Sequence, residues 1–98
     1  MTILLVLALA AAEHSVPMSN WARCTSAYAL PRLQSQATET IADGAMAACS
    51  RQERAALKEW TDQYGQAQGA EIFRGIRVRV RNILLRRIAQ GKQARGYR

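Results

Sequence analysis

The sequence predicts an all-α fold: a leader, then three helices at about 19–34, 38–64 and 70–90, pinned by one disulfide. Three observations point there. Apolar residues recur at helical spacing in three stretches separated by polar or glycine-bearing breaks. The two cysteines, Cys24 and Cys49, lie symmetrically about one of those breaks. The chain also opens on a short apolar run that has the length of an export signal.

That run, Ile3 to Ala12, reads ILLVLALAAA and is too short to cross the hydrocarbon core of a bilayer. Ala10 and Ala12 form an A-x-A cleavage pattern, and Glu13-His14-Ser15 begins a polar stretch. No Lys or Arg precedes the run, so the usual basic start of a signal is missing. The expected organisation is a signal peptide over 1–12 cleaved after about Ala12, a short mature N-terminus over 13–18, a helical domain over 19–90 and a basic flexible tail over 91–98. Export to the periplasm or beyond follows from this reading. Two alternatives stand beside it: a buried N-terminal helix starting at Met1, and a cytosolic protein translated from Met18.

Ser19 can cap the first helix, whose face is marked by Trp21, Cys24 and Tyr28. Pro31 interrupts the pattern and either ends the helix near Ala29 or kinks it and lets it run to about Gln34; the symmetry of the cysteines favours the kink. The point midway between the cysteines falls in Ser35-Gln36-Ala37-Thr38, a polar break. An antiparallel hairpin turning there sets Cys24 opposite Cys49, within the roughly 4.4–6.8 Å Cα separation a disulfide needs. Two unpaired, buried cysteines are the alternative.

The second helix carries the stripe Ala42, Ala45, Met46, Cys49, Ala56, Leu57, Trp60 and Tyr64, within an arc of about 120° if it runs unbroken. A capping-box pattern, Ser50-Arg51-Gln52-Glu53, competes with that continuity and would start a new helix after Cys49. The unbroken stripe is given more weight. Gly44 within the helix suits close approach of the first helix, and Gly65 suits its C-terminal cap. In the third segment Arg77 to Arg81 alternates with valine as a strand would. Ile72, Phe73, Ile76, Val80, Ile83, Leu84 and Ile88 nevertheless share one helical face, and a lone strand would have no partner, so a helix is expected. Gly91 is expected to stop it.

Ninety-eight residues bound one domain with a small core, for which a covalent staple is common. The net charge of +7 is unevenly placed. From Glu13 to Glu71 there are five basic and seven acidic residues, whereas from Ile72 to Arg98 there are nine basic residues and none acidic. Such asymmetry suits an anionic membrane surface, an acidic protein or nucleic acid. The candidate anion- or partner-binding residues are Arg74, Arg77, Arg79, Arg81, Arg86 and Arg87, because the guanidinium fork matches phosphate and carboxylate. A merely solvated face is the plainer reading. Nucleic acid is the less favoured partner, because no aromatic residue is interleaved from Arg74 to Arg95.

No catalytic constellation is legible. His14 is the lone histidine, no CxxC is present, and the phosphate-loop and nucleophile-elbow patterns are absent. Neither catalytic activity nor a metal, cofactor or small-molecule substrate is expected. Glu53 breaks the local rule by facing into the apolar stripe of the second helix. With a turn near Ala67 it would come level with Arg81, and an internal Glu53–Arg81 ion pair is expected. Glu53 leaning out to water, or serving as a buried catalytic acid, is the alternative.

The layout of leader, Trp21-x-x-Cys24, then Ile41-Ala-Asp-Gly-Ala-Met-Ala-Ala-Cys49 followed by Glu53 resembles small exported proteobacterial proteins of no established activity. The resemblance spans about Trp21 to Glu53, leaves out the arginine-rich segment, and carries over no functional residue. The expected role is an exported helical binding or structural protein whose basic helix meets an anionic envelope component or an acidic protein. A cytosolic nucleic-acid-associated protein and a membrane-active cationic helix are the alternatives.

Overall fold

A computed structural model describes residues 15–97. The expected signal peptide and its cleavage point at Ala12 lie outside the described residues. Four α-helices follow in order: α1 (Val16–Ala29), α2 (Thr38–Ala48), α3 (Ser50–Tyr64) and α4 (Gln66–Ala94), with a 3-10 turn over Leu30–Arg32 after α1. No strand occurs among the described residues. No helix among them is long and apolar enough to cross a membrane.

The all-α class and the hairpin are as expected, whereas several boundaries differ. The first helix starts earlier, because Ser15 rather than Ser19 is its cap. The Ser15 hydroxyl accepts from the Met18 amide at 3.4 Å and donates to the Glu59 carboxylate at 2.5 Å, which ties the start of α1 to α3. Pro17 sits in the first turn, where its missing N–H costs nothing. At the other end Pro31 does not kink the α-helix but tightens it into the 3-10 turn. That turn carries the arm on to Leu33, which is buried.

The second helix is two helices. The junction is Cys49, at φ −101° and ψ 24°. Its amide still bonds to the Ala45 carbonyl, and its own carbonyl receives the Glu53 amide, both at 3.0 Å. The hydrogen-bond ladder therefore continues across a bend of one residue. No side chain caps α3, so Ser50 and Glu53 do not act as a capping box.

Cys24 and Cys49 are bonded, with Cα atoms 5.9 Å apart. The bridge clamps α1 against the α2–α3 junction, and Cys49 is fully buried there. Around it Trp21, Ile41, Ala42, Ala45, Met46 and Ala56 form the centre of the core. Small residues on α2 let α1 lie close: the Tyr28 ring rests over Gly44, where a Cβ would meet the ring Cζ at 2.8 Å. Arg32 stacks on the same ring, its guanidinium carbon 3.7 Å from the Tyr28 ring centroid.

The third segment, expected at about 70–90, is longer at both ends. Gly65 alone joins α3 to α4, at φ 89° and ψ 163°, a conformation only glycine adopts readily. Nor does Gly91 stop the helix, which runs on to Ala94. There Gly96, at φ 72°, allows a Schellman cap: the Tyr97 amide bonds to the Lys92 carbonyl at 2.7 Å and the Gly96 amide to the Gln93 carbonyl at 3.1 Å. Residues 91–97 are thus a capped helix end with Tyr97 packed on the core, not a flexible tail. The 29 residues of α4 run the 43 Å length of the molecule.

α4 packs chiefly on α3 and α2, with Phe73, Leu84 and Ile88 buried. Phe73 stacks on Trp21 at 5.4 Å between ring centroids. Lys92 is buried as well, and its ammonium donates to the Gln36 carbonyl in the turn between α1 and α2. α1 packs on α2 and α3 and scarcely meets α4, which leaves a gap between those two helices.

Candidate anion-binding face on α4

The arginines of α4 fall into two groups because the helix lies against acidic residues on one side only. At about 100° per residue, Arg77 and Arg81 lie on the side that faces α2 and α3, and Arg74, close to them in angle, stays exposed beside Glu71 of its own helix. Each is matched by a carboxylate. Arg74 pairs with Glu71 at 3.0 Å within the helix, Arg77 with Glu53 on α3 at 3.1 Å, and Arg81 with Asp43 on α2 at 2.9 Å.

The expected Glu53–Arg81 pair is therefore corrected to Glu53–Arg77. The cause is the position of the turn. Placing it near Ala67 set Glu53 level with Arg81, whereas α4 begins directly after Gly65, from which Glu53 and Arg77 are equidistant. The register moves by one helical turn, and Arg81 reaches Asp43 instead. Glu53 does lean into the interface: its side chain is 22% exposed against 48% for Arg77. With one partner half in water, Glu53→Gln is expected to cost less than about 1 kcal/mol. Urea unfolding of the variant checks this. A loss above about 2 kcal/mol would show a carboxylate that behaves as fully buried.

Arg79, Arg86 and Arg87 form the second group. All three are exposed and none has a carboxylate partner among the described residues. Arg79 and Arg86 lie two turns apart and nearly in line, with Arg87 about 100° round the helix. Val78, 58% exposed, sits beside this strip. Of the six candidate arginines, three are neutralised within the fold and three remain free to meet an outside anion. Among the described residues no group of His, Cys, Asp and Glu could hold a metal ion.

Arg87 has a second setting. It lines a cavity of 660 Å³ in the gap between α1 and α4, together with Met18, Ala22, Leu30 and Leu33 from the first arm and Val80, Ile83, Ile88 and Arg95 from α4. None of the α1-side lining residues was singled out from the sequence. The signal was there: Met18, Ala22, Ala29 and Leu33 make a second apolar edge beside the Trp21–Cys24–Tyr28 face.

No family model matches the chain, and neither a curated protein nor a solved structure matches it. The fold and the sorting of the arginines are therefore the grounds for a functional reading. A disulfide in a protein of this size belongs to a non-reducing compartment.

Proposed function

We propose that this protein is a small exported helical binding module, cleaved after about Ala12, that rests the Arg79–Arg86–Arg87 strip of α4 on an anionic surface of the cell envelope. The observation that carries the reading is the division of the arginines. Internal ion pairs account for Arg74, Arg77 and Arg81, while Arg79, Arg86 and Arg87 have no carboxylate partner among the described residues. The bridge supports export, because a reducing cytosol keeps such thiols free; it weighs against the cytosolic nucleic-acid reading. Phe73, Leu84 and Ile88 commit the apolar face of α4 to the core. That favours electrostatic docking over insertion of α4 as a membrane-active helix.

Co-sedimentation with phosphatidylglycerol-containing vesicles, against pure phosphatidylcholine, tests the proposal. Binding is expected on the anionic vesicles alone, weakening as salt rises. Near such a surface each arginine is worth about 1 kcal/mol, so Arg79→Gln/Arg86→Gln/Arg87→Gln is expected to weaken binding about a hundredfold. Equal binding to both vesicle types, or no effect of the triple substitution, would end the surface reading. The intact mass of the natively expressed chain tests export separately. A species beginning at Glu13 and gaining two hydrogens on reduction is expected, and a full-length thiol form would refute it.

A further inference from the structure

The gap between α1 and α4 is bounded by apolar side chains along most of its length and by charge at one end only. Leu33 sits over Gly91, where a Cβ would come 3.3 Å from its Cδ1. At that end the Arg95 guanidinium folds back, Nη1 donating to the Gly91 carbonyl at 3.4 Å. Arg87 lies about one turn before Gly91 and lines the same cavity, so two arginines stand at this end. The opposite end, at Met18, Val80 and Ile83, carries no charge, and no acidic residue lines the cavity. From Met18 to Leu33 the first arm spans about 22 Å at helical rise. That exceeds the depth of one bilayer leaflet, about 15 Å, the space an acyl chain occupies in a membrane. The cavity's 660 Å³ lies within the range of about 300–1,000 Å³ typical of small-molecule sites.

We infer that this groove binds a free long-chain carboxylate, its acyl chain between α1 and α4 and its head group between Arg87 and Arg95. Charge complementarity selects the occupant. An apolar trough with paired guanidinium groups at a single end matches a tail with one anionic head, and bidentate contacts suit a carboxylate. Leu30, 57% exposed at the rim, adds apolar surface to the lining. The inference deepens the anionic-surface reading and shares Arg87 with it, but the groove is a separate space from the strip of Arg79 and Arg86.

Palmitate is the probe, titrated below its aggregation threshold into the oxidised chain and followed by native mass spectrometry. One palmitate per chain is expected. Monopalmitin, with the same tail and a neutral head, should bind about tenfold more weakly or worse, since it forfeits the charge-assisted contacts. Arg87→Gln/Arg95→Gln should bring palmitate down to the level of monopalmitin. Ala22 is an exposed lining residue, so Ala22→Trp fills the trough without entering the core. It should abolish palmitate binding while leaving attachment to phosphatidylglycerol vesicles intact, and Ser26→Trp should repeat the result. Equal palmitate binding by Ala22→Trp and the unsubstituted chain would overturn the inference. So would an acidic amphipathic peptide that the unsubstituted chain binds and Ala22→Trp does not, with palmitate inert, because the groove would then be a protein-docking site. An unsubstituted chain that attaches to the anionic vesicles but takes up no palmitate sinks the groove alone. The reverse sinks the surface reading alone.

Discussion

Reduction of the Cys24–Cys49 bridge is expected to lower the unfolding free energy by about 3–4 kcal/mol, the chain-entropy value for a closed loop of about 26 residues. For a domain of this size that corresponds to a fall in Tm of about 15–25 °C. Far-UV circular dichroism with and without reductant measures it. Cys24→Ala/Cys49→Ala should fall at least as far, since Cys49 is fully buried and the shorter side chain leaves space at the α2–α3 junction. The size of the effect follows from position. The bridge joins α1 to the one residue at which α2 gives way to α3, so it restrains three helices rather than two. A shift under about 3 °C would mean that the reduced, unfolded chain already holds the hairpin together, and the staple would then be of minor weight.

The same substitution at two glycines of α4 should act with opposite sign. Gly69 lies where α4 crosses α3. A Cβ there would sit 2.5 Å from the Thr61 Cα, 2.6 Å from the Trp60 carbonyl oxygen and 2.8 Å from the Thr61 nitrogen. All three are backbone atoms, so no rotamer change can relieve the clash, and the helices must part just beyond their one-residue joint at Gly65. Gly69→Ala is expected to cost about 2–3 kcal/mol, as overpacking does, despite the better helix propensity of alanine. Gly75 is exposed in the same helix, and nothing lies within 4 Å of a Cβ built on it. Gly75→Ala should therefore stabilise the protein by about 0.5–1 kcal/mol. Urea unfolding of the two variants side by side reads the sign directly. A stable Gly69→Ala would show that α3 and α4 slide freely past each other.

Much of this architecture could be read from the residues, and the misses share a cause. Cys24 and Cys49 flank a polar break, so hairpin geometry set them opposite each other, and the export signal read at the N-terminus favoured their pairing. The break after Cys49 was signalled by Ser50 and Glu53 but outweighed, because the apolar stripe passes through the bend unbroken. Periodicity reports which face is buried, and a one-residue bend does not change the face. The second turn offered two glycines, Gly65 and Gly69, with different work. One supplies a positive φ and the other a bare surface, and local sequence does not distinguish these uses. Taking the turn between them moved the register by four residues and exchanged Arg77 for Arg81 as the partner of Glu53. The candidate arginines were all visible, but their division into neutralised and free sets depends on where Asp43 and Glu53 lie in space. The groove depends on α1 and α4 meeting only sparsely, which no single segment encodes.

The ammonium of Lys92 against the Gln36 carbonyl bears on how the molecule is made. A chain delivered from its N-terminus presents the α1–α2 turn well before the residue that closes it. In an exported chain both cysteines reach the oxidising side ahead of Lys92, so the hairpin can be crosslinked before its turn is sealed. The earliest turn of the fold thus waits for a residue 56 positions further along the chain.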